Sequence, residues 1–201
     1  MPEVPRRGDP RRTYPRPVLT LHWDVTAPAA ALAVLRCQRL ADAGRPVAFS
    51  GIDVLGVEAA LPVTLDQLAG LEAAAAPAAA LGLELRRPTR RVPTLPVHLV
   101  GSLAEAADLG AAWRLAVLRA YWTDGADVAD AGVLTTLAVG IGLDAAAVTA
   151  LLDDRGAAAD LRGRFLALRR RGVGGVPVLE VDGTLLPADV DDATLRELAA
   201  L

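Results

Sequence analysis

The stretch "TLHWDVTAPAAALAVL", Thr20 to Leu35, decides the fold. Its first half is apolar enough for an interior strand, and its second half is an alanine-rich helix that begins at Pro28. A strand end that meets a helix start gathers unpaired backbone N–H groups, which makes it a common place for chemistry. Yet Ala27, Pro28, Ala29 and Ala30 carry no side chain that could perform any. The corner has the position of a reactive site without a reactive group.

Outward from this corner the punctuation is clear. The helix runs from Pro28 to Ala43 and is closed by Gly44. "PVAFSGIDVL" reads as a second strand, so the unit implies a parallel strand pair with a right-handed crossover. The pattern then turns helical as far as Gly172. Thr64 with Gln67, and Ser102 with Glu105, form capping-box signatures. Leu109, Trp113, Val117 and Tyr121 recur every fourth residue along one helix face. Asp130 and Asp144 are placed to cap two shorter helices. Leu161, Phe165 and Leu168 line another, whose far end carries Arg169, Arg170 and Arg171. That run reads as a solvated last turn complementing the helix dipole. "VPVLEVDGTLL" predicts a β-hairpin turning at Asp182–Gly183, and "DDATLRELAAL" a terminal helix.

Composition bounds the function. The 201 residues can bury the core of one domain with an insertion. Apolar residues make up 53%, much of it alanine, and no apolar run is long enough to span a bilayer. Every basic residue is arginine, and the net charge of −3 gives no reason to expect nucleic-acid binding. The single cysteine, Cys37, excludes an internal disulfide and argues against a cysteine-based zinc site. These features predict a protein of the reducing cytoplasm with no metal and no membrane partner. Residues 1–17 are proline- and arginine-rich without apolar periodicity, which predicts a disordered basic tail. Arg11 and Arg12 do not make an export signal, because the "VLTLHWDV" that follows is too short and holds His22 and Asp24.

"GVGGVPVLEVDG", "AVLRAYWTDGADVADAGVLTTLAVGIGLDAAAV" and "DVTAPAAAL" together resemble segments of the DsbA-like thioredoxin-fold family. "GVGGVPVLEVDG" looks like the family's cis-proline segment. "AVLRAYWTDGADVADAGVLTTLAVGIGLDAAAV" is similar to its helical insertion, and "DVTAPAAAL" sits where the family has Asp–x–x–Cys–Pro–x–Cys. The resemblance covers the chain from about Val18 onward. It implies an α/β thioredoxin fold, β-α-β then β-β-α, with a helical domain inserted between the second strand and the cis-proline hairpin. The implied divisions are a tail over 1–17, the first thioredoxin half over 18–60, the insertion over 61–172 and the second half over 173–201. The family includes disulfide oxidoreductases, and also glutathione-using 2-hydroxychromene-2-carboxylate isomerases and kappa-class glutathione transferases, whose corner reads Ser–Pro–Tyr–Ser.

Carried over residue by residue, Asp24 matches the family's acidic residue at the strand end. Ala27 falls on the nucleophilic cysteine, or on the isomerases' serine. Pro28 matches the following proline, and Ala30 falls on the second cysteine. Val176 and Pro177 match the pair around the cis bond. A dithiol site needs a thiolate stabilised by the helix N-terminus and a resolving thiol one turn along, and alanine supplies neither. The isomerase route needs a hydroxyl to hold the cofactor's sulfur, which Ala27 also lacks.

The remaining candidates are few. Cys37 shares a helix face with Ala30, Ala33 and Val34 and reads as a buried, inert thiol. Thr26 could donate a hydroxyl, and Asp24, if buried under the corner, would have the raised pKa of a general base. His22 and His98 read as satisfied structural histidines, and Trp23, Trp113 and Trp122 as core or pocket walls. Gly140 and Gly142 do not form a phosphate loop, because no strand precedes them. What survives is a backbone groove: the helix-start N–H groups of Ala29 and Ala30 facing the Val176–Pro177 peptide, with Trp23, Asp24 and Thr26 nearby and the insertion as an apolar lid. The expected occupants are a small molecule or a peptide, with glutathione or mycothiol as the thiol cofactor that the resemblance implies. The functional expectations are an isomerase- or transferase-like activity, or a pseudo-enzyme that binds a peptide or protein partner. Ordinary disulfide oxidoreduction is disfavoured by the missing cysteines.

Overall fold

A computed structural model describes residues 19–200; the predicted basic tail lies outside them. Strand β1 (Leu19–Trp23) leads through the alanine corner into helix α1 (Pro28–Asp42), and β2 (Val47–Gly51) follows. Helices α2 (Leu65–Ala80), α3 (Leu95–Ala106), α4 (Gly110–Trp122), α5 (Ala131–Gly140), α6 (Ala145–Asp153) and α7 (Arg155–Arg170) come next. Strands β3 (Val178–Val181) and β4 (Thr184–Pro187) and helix α8 (Asp192–Leu198) complete the chain. The strand order is β2-β1-β3-β4. β1 pairs with β2 in parallel, Leu21 beside Phe49, and with β3 antiparallel, Leu21 beside Leu179. This is the β-α-β, β-β-α frame expected from the sequence, with six helices between its halves.

Local chemistry explains most element boundaries. Gly44 takes φ +80° just past α1, where a Cβ would be strained. Asp182 and Gly183 both have positive φ, as a two-residue hairpin turn requires. Asp130, Asp144, Asp154 and Asp191 each accept an N–H two or three residues on, capping α5, α6, α7 and α8. The main core holds Leu19, Leu21, Leu179, Val34, Trp113 and Trp122, joining the sheet to α1 and α4. A second cluster, Ile52, Leu95, Leu99, Leu161, Phe165 and Val173, ties the end of β2 to α3 and α7.

Three local expectations need correction. Ser102 and Glu105 cap nothing: α3 begins at Leu95, with Pro96 in its first turn, so Ser102 lies inside the helix and its hydroxyl donates to the His98 carbonyl at 3.0 Å. Thr64 does cap α2, accepting from Gln67 N at 3.3 Å, but the Gln67 side chain does not return to it. The arginine run is only partly solvated: Arg169 Nη2 donates to the Asp53 carbonyl at 2.6 Å, and Arg171 pairs with Glu180. Burying part of a long arginine stem while its head meets a backbone carbonyl is a common compromise for that side chain.

Candidate functional site: an alanine corner beside a proline loop

The corner is held from beneath by one carboxylate. Asp24 has no exposed surface. Its Oδ2 accepts from Val54 N at 2.7 Å, and its Oδ1 accepts from Thr26 N at 3.1 Å and from the Thr26 hydroxyl at 3.4 Å. Burial pushes its pKa up to about 6, against the pull of the Val54 and Thr26 N–H groups, and the neighbouring Asp53 charge adds to the rise. Two helices of the insertion fasten the carbonyls: Trp122 Nε1 donates to Val25 O at 2.8 Å, and Gln67 Nε2 donates to Thr26 O at 2.9 Å. Ala27 then sits at the N-cap of α1 with extended backbone and no side-chain hydrogen bond.

Beside this helix start lies the loop containing the cis peptide Val176–Pro177. Between them runs a groove of about 390 Å³ whose wall includes Ala29, Leu32 and Ala33 of α1, Gly70 and Ala74 of α2, and Pro177. α2 packs against the start of α1 here: a Cβ on Gly70 would lie 3.4 Å from the Pro28 ring, at van der Waals contact. Arg36 reaches the same groove but is already held by Asp192 at 2.7 Å and by the Val190 carbonyl at 2.6 Å.

The expected groove residues divide. Ala29 and Pro177 line it, whereas Ala27 and Val176 are half-buried and form no part of its wall. Pro28 and Ala30 are buried and offer it no surface. Asp24 and Thr26 are fully buried beneath the corner, so neither side chain meets a ligand in the groove as it stands. Trp23 belongs elsewhere: its ring meets His98 edge-on at 5.4 Å and lines a separate cavity against α3 and α7. Cys37 is 1% exposed and burial pushes its thiol up to about 12, which leaves it protonated and unreactive. His22 Nε2 pairs with Glu180 at 2.9 Å. Neither histidine is fully satisfied as expected, because His22 Nδ1 and His98 Nε2 have no hydrogen-bond partner among the described residues. No group of three or more His, Cys, Asp or Glu among the described residues could hold a metal ion. No described helix is long and apolar enough to cross a membrane.

Sequence reasoning missed the α2 contribution. Gln67 was legible as part of a cap, but its amide serves the corner 41 residues away. Gly70 and Ala74, one turn apart, were the signal for a close helix approach.

A four-stranded sheet with a helix starting at the first strand end, a proline loop opposite, and a helical insertion is the thioredoxin architecture in its inserted form. The DSBA-like thioredoxin domain profile matches residues 69–199, more than half of the chain. The chain belongs to that family. Among solved structures it is similar to a probable DsbA oxidoreductase from Streptomyces coelicolor, at 26% identity over 90% of this chain and 89% of that one, TM-score 0.74. A 2-hydroxychromene-2-carboxylate isomerase superposes at TM-score 0.72 and 20% identity, covering 90% and 92% of the two chains. The cytosolic disulfide reductase DsbM from Pseudomonas aeruginosa, solved with GSH, gives TM-score 0.64 and 22% identity over 90% and 95%. A comparison with curated protein sequences gives no match.

Proposed function

We propose that this protein is a non-redox member of its family that binds a small molecule or an extended peptide in the groove between α1, α2 and the Val176–Pro177 loop. The observation that carries this reading is the state of the corner. Ala27 presents only a methyl group where the family's chemistry sits, and the sole thiol is buried in α1. The groove is apolar and of a size for a ligand, while Asp24 and Thr26 are turned into the protein.

Glutathione or mycothiol is the first candidate, supported by the GSH-bound relative. The fit is partial. No side chain at Ala27 can hold a sulfur, so recognition falls to the N–H groups at the start of α1 and to the Val176 peptide. Calorimetry with glutathione and S-methylglutathione tests this, and with mycothiol extends it. Equal, weak affinities are expected, because the sulfur has no partner. A strong preference for the free thiol would instead support an isomerase- or transferase-like activity, with Thr26 or another group replacing the lost residue. Binding of neither compound would contradict a thiol ligand and leave a peptide or protein partner for the groove.

Ala27→Ser is informative in the same experiment. Alanine is a poor N-cap, and serine there is expected to stabilise the fold by about 1 kcal/mol in urea unfolding. The same hydroxyl should tighten binding of the free thiol and leave the S-methyl compound unchanged. Stabilisation without any change in thiol binding would separate the cap from the groove.

A further inference from the structure

A cavity of about 440 Å³ lies between α7, the start of α3 and the loop that leads from β2 to α2. Clefts of this volume hold small molecules, and none of its lining is shared with the groove. One face of α7 forms its long wall, because Arg162, Phe165, Leu166 and Arg169 recur at helical spacing. Leu95 and the rings of Pro93 and Pro96 add apolar surface from the start of α3. Leu166 is 49% exposed and Val57 45%, so the apolar wall continues to the mouth.

The charged groups of this lining satisfy one another, with one exception. Arg162 Nη2 donates to Glu58 Oε1 at 2.5 Å. Arg169 Nη2 donates to the Asp53 carbonyl at 2.6 Å, and its guanidinium packs on Gly56, where a Cβ would lie 3.0 Å from both Nη atoms. The two arginines are matched by the two carboxylates of Asp53 and Glu58, so neither a cation nor an anion finds surplus charge here. The exception is the Asp53 side chain, which is 5% exposed. Its Oδ1 accepts from Leu55 N at 3.0 Å and from Gly56 N at 3.1 Å. No described residue donates to its Oδ2, and this oxygen is not among the fully enclosed unpaired atoms, so it keeps access to the cavity that Asp53 lines. A largely buried carboxylate oxygen without a donor is costly and calls for one.

We propose that this cavity binds a neutral, apolar alcohol of about ten carbon atoms, with its hydroxyl donating to Asp53 Oδ2 and its hydrocarbon body against Phe165, Leu166 and Leu95. The balanced charges favour a neutral ligand, and the apolar walls favour a hydrocarbon body. The accessible carboxylate oxygen selects a donor over an acceptor, because a carbonyl in the same place would set its lone pairs against those of Oδ2. This site is distinct from the groove and does not depend on what the groove binds.

The test is calorimetry of the full-length protein with menthol and with menthone, the ketone on the same carbon frame. One menthol per chain is expected, with menthone at least about tenfold weaker, because only the alcohol can donate to the charged acceptor. Asp53→Asn should reverse this order. The Leu55 and Gly56 N–H groups hold the amide oxygen in the place of Oδ1, which leaves the amide nitrogen in the place of Oδ2 as a donor. Menthol should then weaken by about tenfold and menthone should tighten. Leu166→Ser, at a position that is half exposed, removes part of the apolar wall and should weaken both compounds severalfold alike. If Asp53→Asn does not fold, the preference of the parent for the alcohol and the loss in Leu166→Ser decide the matter. The proposal is overturned by no saturable menthol binding at millimolar concentrations, by equal binding of the two compounds, by an Asp53→Asn protein that keeps the parent's preference, or by unchanged binding in Leu166→Ser.

Discussion

Gly51→Ala is expected to lower the stability of the protein by about 3 kcal/mol, at the upper end for inserting a methyl group into a packed interior. The new Cβ would lie 2.1 Å from His98 Nδ1 and 2.6 Å from two ring carbons. The ring cannot easily give way. It is wedged edge-on against Trp23 at 5.4 Å and Phe165 at 5.8 Å, and it is 5% exposed. Gly110→Ala is the matched comparison. There the Cβ would meet the Glu105 carboxyl group at 2.2 Å, but that group ends a flexible side chain that is 52% exposed and can swing aside. Its cost should be smaller than that of Gly51→Ala, set by loosening the Glu105–Arg114 pair rather than by a clash with a wedged ring. Urea unfolding of both variants, with His98→Ala added to close a double-mutant cycle, measures the difference. A favourable coupling of at least about 1 kcal/mol between Gly51→Ala and His98→Ala is expected. Equal costs for the two glycines, or no coupling, would contradict the close approach of α3 to β2.

The second large effect is a pH dependence carried by Asp24. Burial holds its folded pKa at about 6 against an ordinary 3.8, so the folded protein grips this proton more tightly than the unfolded chain does. A carboxyl raised in this way stabilises the fold fully below pH 4 and loses that contribution as pH rises through 6. At 1.4 kcal/mol per pH unit the loss amounts to about 3 kcal/mol between pH 4 and pH 7. Other carboxylates titrate in the same range, and Glu180 is shifted in the opposite direction by His22 and Arg171. The useful quantity is therefore the difference between the protein and its Asp24→Asn variant. Relative to the variant, the parent should lose about 2–3 kcal/mol across that window. Parallel curves would show that the carboxylate is solvated rather than buried under the corner. Asparagine also turns one amide N–H₂ toward the Val54 or Thr26 N–H, so a constant offset between the curves is expected at every pH.

What the sequence could show follows from the range of each signal. The first strand, the helix start at Pro28, the Asp182–Gly183 turn and the caps at Asp130 and Asp144 rest on a few adjacent residues, and all stand where local chemistry puts them. Ser102 and Glu105 carry the same local signature, yet they lie inside α3, because Pro96 in its first turn and a continuous apolar face start that helix earlier. The corner's missing chemistry was legible at Ala27 and Ala30 without any structure. Its supports were not. Gln67 reaches Thr26 across 41 residues and Trp122 reaches Val25 across 97, and no spacing rule links them. Adjacency to Asp24 predicts Trp23 near the groove, as a core or pocket-wall residue. Its side chain instead meets His98, a partner that only the fold brings near.

The central proposal is a corner with the family's backbone and, with alanine at positions 27 and 30, no thiol chemistry. Reduction of insulin disulfides by the purified protein, with dithiothreitol or glutathione as reductant, tests this most directly. The expected rate is that of the reductant alone, identical for the protein and for Cys37→Ala, since Ala27 and Ala30 offer no sulfur and the Cys37 thiol is 1% exposed and held up to about 12. A rate above that of the Cys37→Ala protein would contradict the account.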